Sequence, residues 1–153
     1  MLREQLLEVM GGLKLYGMRS VLDEILVTGT RQRSTPEKIL LDLLNAEQAE
    51  REAKSIRYRL GQARFPVAKD LDQFDFSASP VNEMQVRSLH EGQFLATQSN
   101  VILIGGTGTG KTHLATSIAR QAIHSGKRCR YFNLVDLVNQ LEQEKLAGRG
   151  GKL

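Results

Sequence analysis

The feature that most constrains this chain is Gly105-Gly106-Thr107-Gly108-Thr109-Gly110-Lys111-Thr112, an uninterrupted match to G-x-x-x-x-G-K-[ST]. Val101-Ile102-Leu103-Ile104 precedes it, and this apolar run, mostly β-branched, suits a strand buried on both faces. His113 to Ser125 follows as a helix with Leu114, Ile118, Ala119 and Ala122 inward, closed by Gly126. Strand, glycine loop and helix stand in the order the motif needs. Glycines let successive N–H groups from about Thr107 to Thr112 converge on phosphate oxygens, and the helix N-terminus adds its positive dipole. Lys111 is expected to reach the β- and γ-phosphates of ATP, and the Thr112 hydroxyl to hold Mg²⁺. A dinucleotide fingerprint does not fit, because the sixth position of G-x-G-x-x-G falls on the wrong residue.

Helical spacing dominates the chain before this loop. Leu2, Leu6, Val9, Met10 and Leu13 form one stretch; Gly11, Gly12 and Gly17 interrupt before Met18, Val21, Leu22, Ile25 and Leu26 form another. Ser34-Thr35-Pro36-Glu37 reads as a helix start, with Ser34 as cap, Pro36 in the first turn and Glu37 completing a capping box. A long helix is expected to follow, its stripe of Ile39, Leu43, Ala46, Ala49, Ala53, Ile56, Leu60 and Ala63 ending near Arg64 before Pro66. Phe65, Phe74 and Phe76 then interleave with Asp70, Asp72, Asp75, Ser77 and Ser79. Without strand alternation these rings read as pins onto a core rather than a base-stacking platform. Val81, Met84, Val86, Leu89, Phe94 and Leu95 resume helical spacing. The expected organisation is a helical N-terminal domain over 1–64, a linker over 65–80, and an α/β domain over 81–153.

Charge narrows the partners. The net charge of +4 is concentrated after Thr97, where Lys111, Arg120, Lys127, Arg128, Arg130, Lys145, Arg149 and Lys152 face three acidic residues. That surplus fits either an anionic ligand or a solvated surface. Lys54, Arg57 and Arg64, flanked by Arg51 and Arg59, are candidate contacts to DNA phosphates, with a solvated basic face as the competing reading. His113 reads as a helix-surface residue, while His90 and His124 have no metal-ligand spacing. The lone Cys129 can form no internal disulfide and suits a reducing compartment. No apolar run approaches the roughly 18 to 20 residues of a membrane span, and Glu4 and Glu8 do not fit a signal peptide, so a cytoplasmic location is expected.

The chain resembles the insertion-sequence transposition helper ATPases of the IstB type, which are similar to the DnaC helicase loader. The resemblance rests on Leu13-Lys14-Leu15-Tyr16-Gly17-Met18, Leu40 to Glu47, Ala63-Arg64-Phe65-Pro66 followed by Phe74-Asp75-Phe76, the phosphate loop with His113, and Asp136-Leu137-Val138-Asn139-Gln140-Leu141. Gly106-Thr107 departs from the two prolines usual in such proteins, which is expected to loosen the loop without removing its N–H donors. The resemblance implies an α/β, AAA+ P-loop ATPase core behind an all-helical N-terminal domain. It also implies homo-oligomers that assemble on duplex DNA with ATP and direct a DDE-type transposase, hydrolysis taking the oligomer apart. A DnaC-like helicase loader and a non-enzymatic helical DNA- or protein-binding module are the alternatives.

Hydrolysis in that superfamily needs a second strand ending in carboxylates, the Walker B element. The only candidate after Thr112 is Tyr131 to Asp136, which Asn133 interrupts. Asn133 reads better as a helix cap, with Asp136 in the first turn and Leu134, Leu137, Val138 and Leu141 as the apolar face. No catalytic residue is therefore assigned. The sheet order 5-1-4-3-2 implied by the resemblance makes Val101–Ile104 strand 1 and Arg128–Phe132 strand 2, which are not neighbours. Strand 1 would lack a backbone partner, at about 1 to 3 kcal/mol for each buried unpaired group. An incomplete parallel sheet is expected, in a fragment of a longer protein that binds ATP without hydrolysing it.

Overall fold

Apolar spacing becomes helix along most of the chain. A computed structural model describes residues 2–148; Met1 and residues 149–153, with the basic Arg149 and Lys152, lie outside the described residues. The helices are α1 (Leu2–Gly12), α2 (Tyr16–Arg31), α3 (Pro36–Ala63), α4 (Glu83–Glu91), α5 (Gln93–Ala96), α6 (Lys111–His124) and α7 (Leu134–Leu146), with a 3-10 turn at Leu71–Gln73. The chain divides into two compact units, Met1–Arg57 and Tyr58–Leu153. Among the described residues no helix is long and apolar enough to cross a membrane.

In the first unit Met10, Met18, Leu22 and Leu43 form the buried core, flanked by Leu7, Leu15, Val21, Ile25 and Ile39. Leu22, 1% exposed, is its most enclosed member, and such burial contributes roughly 1.5 to 3 kcal/mol. α3 starts at Pro36, one residue later than the Ser34 cap implies: the Thr35 hydroxyl accepts from Lys38 N at 3.4 Å, which makes Thr35 the cap. Gly17 does not interrupt the helices but lies in the first turn of α2, where a Cβ would come 2.7 Å from both Ala46 O and Glu47 Cα. Its hydrogen is what lets α2 approach α3 this closely.

Leu15, before α2, provides no side-chain cap. The buried Glu47 carboxylate serves instead, accepting from Gly17 N at 2.7 Å and Met18 N at 3.1 Å while Arg51 Nε donates to its other oxygen at 2.7 Å. Burial opposes the Glu47 charge; the Arg51 guanidinium and the two N–H groups more than offset it and hold the carboxyl below its ordinary value.

In the second unit Leu71, Val86 and Leu114 are buried together, with Phe74, Phe76, Val81 and Leu103 packed against them. α4 and the 3-10 turn both lie on α6. Asn82 caps α4, accepting from Gln85 N at 3.1 Å, and Gly92 closes it in a left-handed conformation. α6 buries Leu114, Ile118, Ala122 and Ile123, and Gly126 (φ +88) turns the chain away after it. Asn133 caps α7 as its sequence implies, accepting from Val135 N at 2.9 Å, and Asp136 sits exposed in the first turn. The apolar residues Leu134, Val138 and Leu141 of α7 stay exposed.

The expected α/β class requires correction. Among the described residues there is no strand and no sheet, so no incomplete parallel sheet forms, and both Val101–Ile104 and Arg128–Phe132 are irregular. An extended segment gains its ladder bonds only from a neighbour, and Val101–Ile104 makes no backbone hydrogen bond to another described segment. Ile102 and Ile104 are 81% and 92% exposed, so the apolar run is not buried on both faces. In the other segment Tyr131 N donates to Ala63 O at 2.8 Å, which ties it to the end of α3 rather than to a strand.

Candidate phosphate-binding site

Two left-handed glycines shape the loop between Leu103 and α6. Gly108 has φ +78 and Gly110 has φ +86, conformations that cost a residue with a Cβ on the order of 1 to 2 kcal/mol. Together they reverse the chain so that α6 begins at Lys111, with Leu114 N donating to Gly110 O at 2.9 Å. The Thr109 hydroxyl donates to Gly106 O at 2.9 Å and closes the turn. The Lys111 ammonium donates to the same carbonyl and lies 3.4 Å from Thr109 Oγ1. Loop and cation thus converge at the N-terminus of a helix of 14 residues, where backbone N–H groups and the helix dipole favour negative charge. Thr112 lies exposed in the first turn of that helix. Nothing approaches within 4 Å of the Cβ position of Gly108, so that point of the loop faces open space.

The loop is braced from below by the 70–76 segment. A Cβ on Gly110 would meet Phe74 Cε2 at 2.6 Å, so the ring lies directly against the residue that starts α6. Phe74 is held edge-on by Phe76 at 4.9 Å and by His113 at 5.3 Å between ring centres. His113 Nε2 donates to Asp70 O at 2.8 Å, and Arg120 Nε donates to the Asp70 carboxylate at 2.6 Å. The Arg120 guanidinium holds the Asp70 carboxyl below its ordinary value. Sequence reasoning placed His113 on a helix surface and read Phe74 as a ring pinning its segment onto a core, and Phe74 and Phe76 do pack against Leu71, Val86 and Leu114. What it missed is that His113 and Phe74 brace the phosphate loop, a long-range contact that spacing does not reveal.

An apolar cavity of about 410 Å³ opens beside Gly105, Thr109 and Lys111 and runs to Val86, Leu89 and Leu103. His90 and His124 lie elsewhere, on a polar cleft of about 610 Å³ with Asp70, Asp72 and Glu91. Among the described residues no group of three or more such side chains could hold a metal ion. Burial pushes the Cys129 thiol up from its ordinary value. Of the basic residues read as DNA contacts, Lys54 and Arg57 are exposed on α3 within the first unit, and Arg57 donates to Glu50 at 3.4 Å. Arg64 follows α3 in the second unit.

A family model described as IstB-like ATP binding protein matches residues 9–153. The chain belongs to this family. It is 38% identical over 113 residues to a protein named for ATP binding in insertion sequence IS5376 of Geobacillus stearothermophilus, covering 73% of this chain and 45% of that one. It is 30% identical over 146 residues to an IS21-like ATP-binding relative from Bacteroides fragilis strain YCH46, covering 95% and 73%. A third relative, from insertion sequence IS21 of Pseudomonas aeruginosa, is 32% identical over 138 residues, covering 90% and 52%. The IstB-type resemblance is borne out. The chain spans about half the length of two of these relatives.

Proposed function

We propose that this chain binds ATP with Mg²⁺ through Gly105, Gly106, Thr107, Gly108, Thr109, Gly110, Lys111 and Thr112, and acts as an ATP-binding helper in DNA transposition. The observation that supports the reading is the pair of left-handed glycines, Gly108 and Gly110, that turn the chain into α6, whose first residue is Lys111. Lys111 exchanges the Gly106 carbonyl for β- and γ-phosphate oxygens, and the Thr112 hydroxyl holds the metal ion. Mg²⁺ held there would supply positive charge against the phosphate oxygens. The relatives' names, each tied to an insertion sequence, support transposition over helicase loading as the setting. In that setting the partners are duplex DNA, a transposase and further copies of the chain, with Lys54, Arg57 and Arg64 meeting DNA phosphates.

Titration of the full chain with a fluorescent ATP analogue and Mg²⁺ tests the nucleotide site. Hydrogen bonds to a charged group contribute about 1.5 to 3 kcal/mol, so Lys111→Ala is expected to weaken binding about 10- to 100-fold. Equal affinity for the wild type and Lys111→Ala would overturn the assignment.

A further inference from the structure

The end of α3 and the start of α7 enclose a second cleft, of about 350 Å³, lined among others by Arg64, Arg130, Tyr131, Phe132, Asn133 and Asp136. Its two arginines are distant in sequence and are brought together by the Tyr131 N to Ala63 O hydrogen bond. Arg64 sits at φ +54, a left-handed position after the helix where glycine is the unstrained choice. Lys14, Arg33 and Gln98 share this conformation, so what sets Arg64 apart is its place on the cleft beside Arg130. Among the described residues neither Arg64 nor Arg130 is held by a carboxylate, and Arg130 lies 5.0 Å over the Phe132 ring. A guanidinium at this distance from a ring face is attracted by the ring's quadrupole, which favours its position on the cleft. The capped N-terminus of α7 adds a favourable dipole on the same cleft.

From these features we infer that the cleft between Arg64 and Arg130 binds the phosphodiester backbone of nucleic acid, with the Tyr131 ring as a flanking surface for the sugar or base. Two planar forks suit phosphate oxygens, and an aromatic wall suits a nucleotide rather than a free anion. The inference rests on the DNA association proposed above and moves its centre from Lys54 and Arg57 to this cleft. Asp136 is the carboxylate lining it and opposes a phosphate.

The test measures binding of labelled duplex and single-stranded oligonucleotides to the full chain across a salt series. Arg64→Ala and Arg130→Ala are each expected to weaken binding several-fold and to lower the slope of log affinity against log salt by about 1. Asp136→Asn is expected to strengthen binding, and Arg87→Ala, which removes the same charge outside the cleft, to leave it unchanged. Arg64→Gly supplies the decisive pair of readings: a higher urea midpoint, because the left-handed strain is relieved, together with weaker binding. Whichever oligonucleotide shows the arginine dependence identifies the source of the phosphodiester. If the cleft variants bind like the wild type while Lys54→Ala/Arg57→Ala loses affinity, the cleft assignment fails and the DNA reading stands. A wild-type chain that binds neither oligonucleotide overturns both, and arginine-dependent binding of polyglutamate alone makes the ligand an acidic peptide and overturns the inference.

Discussion

Replacing Gly110 by alanine separates two costs that the phosphate loop combines. The first is conformational: at φ +86 a Cβ costs on the order of 1 to 2 kcal/mol. The second is steric, because that Cβ would lie 2.6 Å from the Phe74 ring. Phe76 and His113 flank the ring and keep it from swinging aside, so the overlap takes the usual cost of overpacking, about 1 to 3 kcal/mol. The expected total is about 2 to 5 kcal/mol, a large share of the roughly 5 to 15 kcal/mol that stabilises a typical domain. A double-mutant cycle with Phe74→Ala divides it, since without the ring Gly110→Ala should cost only the conformational part. Urea unfolding followed at the α6 amides gives the stabilities of all four proteins. Nucleotide titration should show weaker binding by Gly110→Ala on both backgrounds. A Gly110→Ala protein within about 0.5 kcal/mol of wild type, the scatter of ordinary surface changes, would refute the geometry. So would an equal cost with and without the Phe74 ring.

Other expectations follow from the same structure. The amides of Val101 to Ile104 should exchange with solvent orders of magnitude faster than those of Leu114 to Ala122, since they lack backbone partners; protection equal to that of α6 would contradict their exposure. Gly17→Ala is expected to destabilise the first unit by about 1 to 3 kcal/mol, because the clashing atoms include the α3 backbone; a higher urea midpoint would show that α2 is not that close. Asp70 is held below its ordinary value of 3.8, so its pairing with Arg120 stabilises the fold above that pH and fades as pH falls through the lowered value. The pair is largely exposed at Asp70 and contributes at most about 1 kcal/mol. Asp70→Asn should remove that contribution near neutral pH and narrow the gap to wild type in strong acid, as pH-dependent unfolding would report.

The legible parts of this molecule are the local ones. Pro36, Pro66, Gly126 and Asn133 mark helix ends because their effects act within a turn or two, and the structure places α3, α6 and α7 close to those marks. The glycine turn ahead of α6 was legible for the same reason, since its glycines and Lys111 are consecutive. The irregular course of Val101 to Ile104 was not, because four apolar residues in a row declare an affinity for a partner without supplying one. Gly17 was misread as a breaker, and its real neighbour lies 30 residues further along the chain at Glu47. The Arg64 and Arg130 cleft was hidden likewise, since only the distant Ala63 and Tyr131 contact brings its halves together.

The borrowed cap on α2 also bears on the order in which the first unit assembles. The first N–H groups of α2 are satisfied by a side chain that the ribosome makes about 30 residues later. Until Glu47 arrives, α2 must start with its first turn frayed and bound to water, and helix nucleation is costly without such help. Docking of α3 therefore completes α2 as well as covering it. The two helices should gain order in a single kinetic step.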